Sequence, residues 1–318
     1  MKKLLAAALH GRELRHLAVG LDAEGLAGVR ALLVRASGEA VPARHVPAAL
    51  HPLTLAVDGE REGVDDATHL LLLDARASEE PDRAAHSAVV TLRRDRVIEA
   101  AGGRTVLYRP TAAVNRFEPV PRRWWTYLLA RRHARRTQAV PHRLGMTALE
   151  LVALDCYYVS PRPVHLVSVR HGARSNLFPM DLVGPLGGGD RFTLALRNTS
   201  PSVETIRASR RVVLSAVPAA WKEAAYALGA HHRKESVDPA ALPFSLATSR
   251  AFGLPVPADA PGYREVEILG ATVVGSHTFF DGHTVNHEEP PRDVLRLAHV
   301  SALYAAWRAR RGAPLAMA

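Results

Sequence analysis

The chain has 318 residues, 47% of them hydrophobic, which is enough for one large core or two ordinary ones. Its one cysteine, Cys156, excludes an internal disulfide and a cysteine-based zinc cluster, and no apolar run is long enough to span a bilayer. The formal charge of +10 is carried almost wholly by arginine along an alanine-rich chain, a compositional bias that suits a phosphate-bearing ligand better than a dedicated nucleic-acid face.

The apolar start, Met1 to Leu9, is interrupted by His10, Arg12, Glu13 and Arg15 before a signal-peptide core is complete, so the protein is expected in the cytoplasm. Strand-like runs follow at Leu17–Leu21, Ala31–Val34, Leu53–Val57, His69–Leu73 and Ser87–Leu92, with a short helix at Glu79–Ala85. Residues 1–118 therefore read as an N-terminal α/β domain of unassigned role, with no nucleotide-binding glycine pattern.

Residues 119–144 read as a basic aromatic linker helix. Arg131 and Arg135, like Arg132 and Arg136, are four apart and share a helical face; Trp124, Trp125, Tyr127, Leu128 and Leu129 supply apolar surface. One reading is a basic interaction module acting through Arg122–Arg136 on an acidic partner, a membrane or nucleic acid. The plainer one, adopted here, is a helix packed by its tryptophans with a solvated arginine face, and no nucleic-acid or membrane partner.

Residues 145–318 read as a domain of short strands with small helices at their ends. Pro163–Arg170 and Asn176–Val183 form a hairpin through Gly172, followed by Phe192–Leu196, a helix at Ser202–Ser209 and strand Val212–Val217. Then come a helix at Ala219–Leu228, a strand at Val266–Val274 and a terminal helix at Leu295–Arg310. No internal repeat is evident.

Asn198-Thr199-Ser200-Pro201-Ser202 places Ser200 as an N-cap and Pro201 as first helical residue. Read locally, Ser200 caps its own helix; a helix start rich in hydroxyls is also an anion site. His231-His232-Arg233-Lys234-Glu235-Ser236 is an exposed basic loop by composition. His277 stands in Gly275-Ser276-His277-Thr278-Phe279-Phe280-Asp281-Gly282, at a strand end. His277, His283, His287, Glu288 and Glu289 match no strong metal spacing, so no metal is expected.

In this order and spacing, Pro163–Arg170, Gly172, Asn176, Arg197–Ser202 and Gly275–Gly282 resemble the flavin reductase-like proteins over about residues 145–290. The resemblance implies an FMN-binding split β-barrel, giving a mainly β or α+β fold with the N-terminal α/β part as an addition. It implies FMN, or FAD, as cofactor, NAD(P)H as hydride donor, and a homodimer that completes the flavin site between subunits. It places the flavin phosphate near Arg197, Asn198, Thr199, Ser200 and Ser202, with Arg233, Lys234 and Ser236 nearby. Ser175, Asn176, Met180, Asp181 and Leu182 would run along the ring, and His277 would be catalytic, beside flavin and nicotinamide. Two departures stand out. Pro179-Met180-Asp181 replaces a hydroxyl-bearing stretch, and Ser276 replaces an acid. The first favours an alternative, a non-catalytic flavin-binding or scaffold protein.

Overall fold

The computed structural model describes residues 16–60, 64–74, 87–138 and 144–318. The helix expected at Glu79–Ala85, the start Met1–Leu9 and the break at Pro141 lie outside these residues. No helix among the described residues is long and apolar enough to cross a membrane.

Strand β1 (His16–Leu21) and helix α1 (Ala23–Leu26) lead into β2 (Val29–Arg35), β3 (Ala40–Pro42), β4 (His45–Leu50), β5 (Leu53–Asp58), β6 (Ala67–Asp74), β7 (Ser87–Ala100) and β8 (Gly103–Asn115). These seven strands from β2 onward form one antiparallel sheet in the order β3-β2-β6-β7-β8-β5-β4. The N-terminal addition is thus a sheet built from hairpins, and its helical content among the described residues is α1. The alternation that marks β6 and β7 buries Leu70, Leu72, Ala88 and Val90 on one face.

Helix α2 (Val120–Gln138) follows, then α3 (Ala148–Tyr157). Thr147 and Glu150 close a capping box at the start of α3, each bonding the other's backbone N–H. The expectation that α2 packs by its tryptophans is not met. Trp124 is 67% exposed and Trp125 48%, while the small side chains Ala130 and Ala134 are buried. Val120, Trp124, Tyr127 and Leu128 are spaced as one helical stripe but are exposed, and α2 lies on the protein through the small residues Ala130, Ala134 and Thr137 instead.

The C-terminal part comprises β9 (Arg162–Pro163), β10 (His165–His171), β11 (Arg174–Met180), β12 (Val183–Pro185), β13 (Arg191–Arg197), α4 (Ser202–Ser209) and β14 (Arg211–Ala216), then α5 (Lys222–Ala227) flanked by 3-10 turns. β15 (Leu246–Thr248), β16 (Pro255–Pro257), β17 (Tyr263–Val274), β18 (His277–Glu288), β19 (Arg296–Ser301), α6 (Ala302–Arg310) and β20 (Ala316–Met317) complete it. Seven strands make an antiparallel sheet in the order β11-β10-β14-β17-β18-β13-β12, curled around Phe178, Leu194, Phe279 and Phe280 as a split barrel. The helix expected at Leu295–Arg310 begins only at Ala302; Arg296–Ser301 pairs instead with β1, whose Val19 and Leu21 are buried with Ala298 and Val300. The boundary expected after residue 118 therefore does not isolate the first part, since β1 joins a sheet with β19.

The two sheets share their cores. Val46, Ala48 and Ala49 of β4 enter the barrel core, and α3 and Tyr304 pack into the core of the N-terminal sheet. Buried Asp155 of α3 links β8 to β19, accepting from Asn115 Nδ2 at 2.9 Å and from Ser301 Oγ at 2.7 Å. Burial pushes its carboxyl up to about 6, against the pull of those two donors.

Candidate functional site

The turn after β13 is the centre of the site. Asn198 N–H donates to the Ser276 carbonyl at 3.1 Å, and Asn198 Nδ2 donates to the Gly275 carbonyl at 2.9 Å. Thr278 Oγ1 donates to Asn198 Oδ1 at 3.0 Å. The phosphate-type turn and the Gly275–Gly282 segment, about eighty residues apart in sequence, are thus one unit. His277 stands at a strand end, the first residue of its strand. Gly275 and Ser276 form the β-turn, and His277 opens β18 opposite Arg197.

Ser200 does not cap α4. The helix begins at Ser202 with Pro201 at the N-cap, and the Ser200 hydroxyl donates to the His232 carbonyl at 2.8 Å. That bond holds the basic loop against the turn. Asn176 Nδ2 strengthens the link, donating to Ser202 Oγ and to the carbonyls of His231 and Lys234. The His232 ring reaches the Pro179 carbonyl at 2.7 Å and packs on Phe178. Ser236 Oγ bonds both the N–H and the carbonyl of Ser175. So Ser175, Asn176, Ser200, Ser202 and Ser236 build the site's frame.

The groups left over face solvent. Thr199, Arg233 and Lys234 are exposed and Arg197 is half-buried, and none of the three cations forms an ion pair with a described residue. Arg197 and the Thr199 hydroxyl on the turn, with Arg233 and Lys234 on the loop that Ser200 holds against it, are a set of donors that fits a phosphate ester. The phosphate end of an FMN is matched by this chain's donors.

The ring-side residues are placed differently from one another. Met180 and Leu182 are buried in the barrel core. Asp181 turns to the far side, accepting from Tyr158 Oη at 2.7 Å and pairing with His299 Nδ1 at 2.6 Å. Burial works to raise its pKa, but the bond and charge of His299, with the Tyr158 hydroxyl, win and hold the carboxyl well below the usual range. Its charge is therefore spent within the protein. Pro179 lies on edge strand β11, where a missing N–H costs no ladder bond.

His277 is 2% exposed. Its Nδ1 meets Ser276 Oγ at 2.8 Å and the Leu50 N–H at 3.4 Å. Burial and the nearby Arg197 charge lower its pKa to about 4, so it is neutral at neutral pH. Leu50 comes from the other sheet, and it brings a contact that the sequence did not reveal. His51 N–H donates to Ser276 Oγ at 3.0 Å, and the His51 carbonyl accepts from Ser276 N–H at 2.7 Å. Glu150 fixes that turn, accepting from Leu53 N–H at 2.8 Å and meeting His51 Nδ1 at 3.2 Å. Tyr158, His299 and Glu150 each stand in an apolar stretch with no motif to mark them. Among the described residues no three His, Cys, Asp or Glu side chains converge as metal ligands.

Comparison with known proteins gives three results. No curated protein matches the chain. Among solved structures, an FMN-binding protein from Thermus thermophilus is 23% identical, covering 46% of this chain and 86% of its own, with a TM-score of 0.41. The NADH:FAD oxidoreductase of Streptomyces globisporus is 16% identical, covering 47% and 88%, with a TM-score of 0.42. The model of the flavin reductase like domain matches residues 157–308, a span that runs from the end of α3 into α6 and contains the whole split barrel. This part of the chain, a little under half of it, is similar to the flavin reductase like domain.

Proposed function

We propose that this protein is a flavin-dependent oxidoreductase that holds FMN, or FAD, at the Arg197–Ser202 turn and takes hydride from NAD(P)H. The observation that carries the reading is the turn itself: Arg197, Arg233, Lys234 and the Thr199 hydroxyl stand uncommitted around a frame of satisfied hydrogen bonds, within a flavin reductase-like domain. Flavin, when bound, supplies the hydride-accepting chemistry. The three cations offset the phosphate charge, and Thr199 donates to a phosphate oxygen. Asn198 and Thr278 lock the turn to β18. His277, buried and neutral, acts as a positioning residue that sets Ser276 and the Leu50–His51 turn. Asp181, already paired with His299 and Tyr158, adds no free negative charge beside a reduced flavin.

Flavin fluorescence titration tests the site. FMN emission is expected to change on binding, and the double substitution Arg233→Glu with Lys234→Glu to weaken affinity at least about tenfold, since charge-assisted contacts contribute about 1.5–3 kcal/mol each. Protein that takes up no FMN or FAD refutes the reading. A second reading, a non-catalytic flavin carrier, is favoured by the burial of His277. Anaerobic addition of NADH and NADPH decides between them: bleaching of bound flavin supports the oxidoreductase, and unchanged absorbance supports the carrier.

A further inference from the structure

The two seven-stranded sheets have one topology. Taken in chain order from β2 and from β10, their strands occupy the same places: β3-β2-β6-β7-β8-β5-β4 against β11-β10-β14-β17-β18-β13-β12. The match extends to register. Leu32 pairs with both Pro42 and Leu71, and Leu166 pairs with both Pro179 and Ser215. Pro47 pairs with Leu55 in one sheet, and Pro185 with Phe192 in the other. All four prolines sit on edge strands, at matching steps of the ladder.

The long hairpins agree residue by residue. Each turns through two residues, Ala101-Gly102 in β7–β8 and Gly275-Ser276 in β17–β18. Each has two bulges. Asp95 and Thr111 are skipped in the first ladder, Leu269 and Val285 in the second, and each pair lies the same distance from its turn. Bulges are specific devices rather than generic features of hairpins, so their coincidence marks a repeat.

The contacts between the sheets are those a twofold arrangement makes. A Cβ built on Gly184 would lie 3.4 Å from Val46, and the register match makes these two residues counterparts. Arg96 Nη2 donates to the Val273 carbonyl at 2.7 Å. In return Gly270, the counterpart of Arg96, faces Ala100, beside the counterpart of Val273. Reciprocal contacts of this kind are the signature of an isologous interface.

The repeats differ where the candidate site lies. In the second, residues 198–210 between β13 and β14 hold the phosphate-type turn and α4. In the first, the shorter connection 59–66 between β5 and β6 shows no helix among its described residues. Its surroundings are filled by buried Arg191, which bonds Asp281, Thr105 and the carbonyls of Gly103 and Arg104.

We infer that the chain is a covalently joined pair of split-barrel repeats, in which the first repeat supplies in cis, through Leu50 and His51, the second wall of the site formed by the second repeat. One chain therefore carries one complete flavin site and needs no second copy to bind. The flavin part rests on the function proposed above; the paired-repeat part does not.

Two measurements test it. Sedimentation of the full chain with FMN is followed at protein and flavin wavelengths. The expected result is flavin travelling, one per chain, with a species of single-chain mass, 34.5 kDa. Flavin found only on a species of two or more chains overturns the inference. The second measurement mixes two variants, co-expressed. Thr199→Glu sets a carboxylate where phosphate would sit, and His51→Asp sets one beside Glu150, forcing the 50–52 turn off Ser276. Each alone is expected to lose at least about tenfold in FMN affinity, and the mixture to stay as weak as its parts. Recovery of binding on mixing overturns the cis site, because it requires walls from different chains. If the wild-type chain binds no flavin, the functional reading fails, and the mass still decides: single-chain mass upholds the paired repeats, two-chain mass refutes them.

Discussion

Replacing Gly275 by alanine separates backbone strain from steric contact at the junction. Gly275 has φ of +51°, the left-handed region that costs a non-glycine residue roughly 1–2 kcal/mol. A Cβ there would also lie 2.6 Å from the His51 carbonyl oxygen and 2.8 Å from Pro52 Cδ. Neither is a flexible side-chain end, so the 50–52 turn must retreat, weakening the 2.7 Å bond from Ser276 N–H to the His51 carbonyl, about 1 kcal/mol. The expected loss is about 2–4 kcal/mol, read from urea unfolding at constant slope. Two controls bracket it. Gly172 has φ of +58° with open space around its Cβ position, so Gly172→Ala should cost the strain alone. Gly229 has neither positive φ nor a close neighbour, so Gly229→Ala should cost nothing. If Gly275→Ala costs no more than Gly172→Ala, the contact with His51 does not hold the two halves together and the reasoning fails. Gly275→Ala should also weaken FMN binding, which Gly172→Ala should leave unchanged.

Arg191→Met removes the guanidinium that pairs with buried Asp281 and lies near buried Asp58, and should cost about 3–5 kcal/mol in chemical denaturation; a loss under 1 kcal/mol would mean the carboxylates find other partners. His16, His165 and His277 are each lowered to about 4 by burial, so each contributes stability that is complete above about pH 6.5 and lost as pH falls toward 4. Urea midpoints should therefore decline steadily from pH 7 to 4.5; a flat profile would show that the rings are protonated without penalty. Asp181, held low by His299 and Tyr158, contributes stability above the ordinary carboxylate range that is lost on further acidification. Asp181→Asn should lower the midpoint at pH 7 and flatten the acid limb, whereas an unchanged limb would place the effect elsewhere.

The barrel was legible in the sequence because its signals are local. Ser202–Ser209 folds as the helix its pattern announces, and the apolar runs at Pro163–Arg170, Asn176–Val183 and Phe192–Leu196 fold as β10, β11 and β13. Leu295–Ser301 misleads because Leu297 and Val300 fit a helical spacing as well as a strand; pairing with β1 decides it, and no local signal carries that. Trp124 and Trp125 mislead because aromatic residues suggest burial, yet the close approach of α2 is made by Ala130 and Ala134. At the candidate site, Asn198 and Ser202 stood within a readable turn, but Leu50 and His51 carry no motif and act through their backbone N–H groups. The repeat was hidden for a related reason. What the two sheets share is bulges, edge prolines and strand order, which constrain few side-chain identities.

Val46 opposite Gly184 has a consequence of its own. Where two identical subunits meet on an axis, a residue there faces its own copy, so large meets large or small meets small. Joined in one chain, the two positions can be complementary, and here a valine methyl fills the space a glycine leaves. The same freedom extends along the junction. The wall bearing Leu50 and His51 can change without a matching change in the wall bearing Asn198 and Ser202, so each can be tuned to a different part of one ligand.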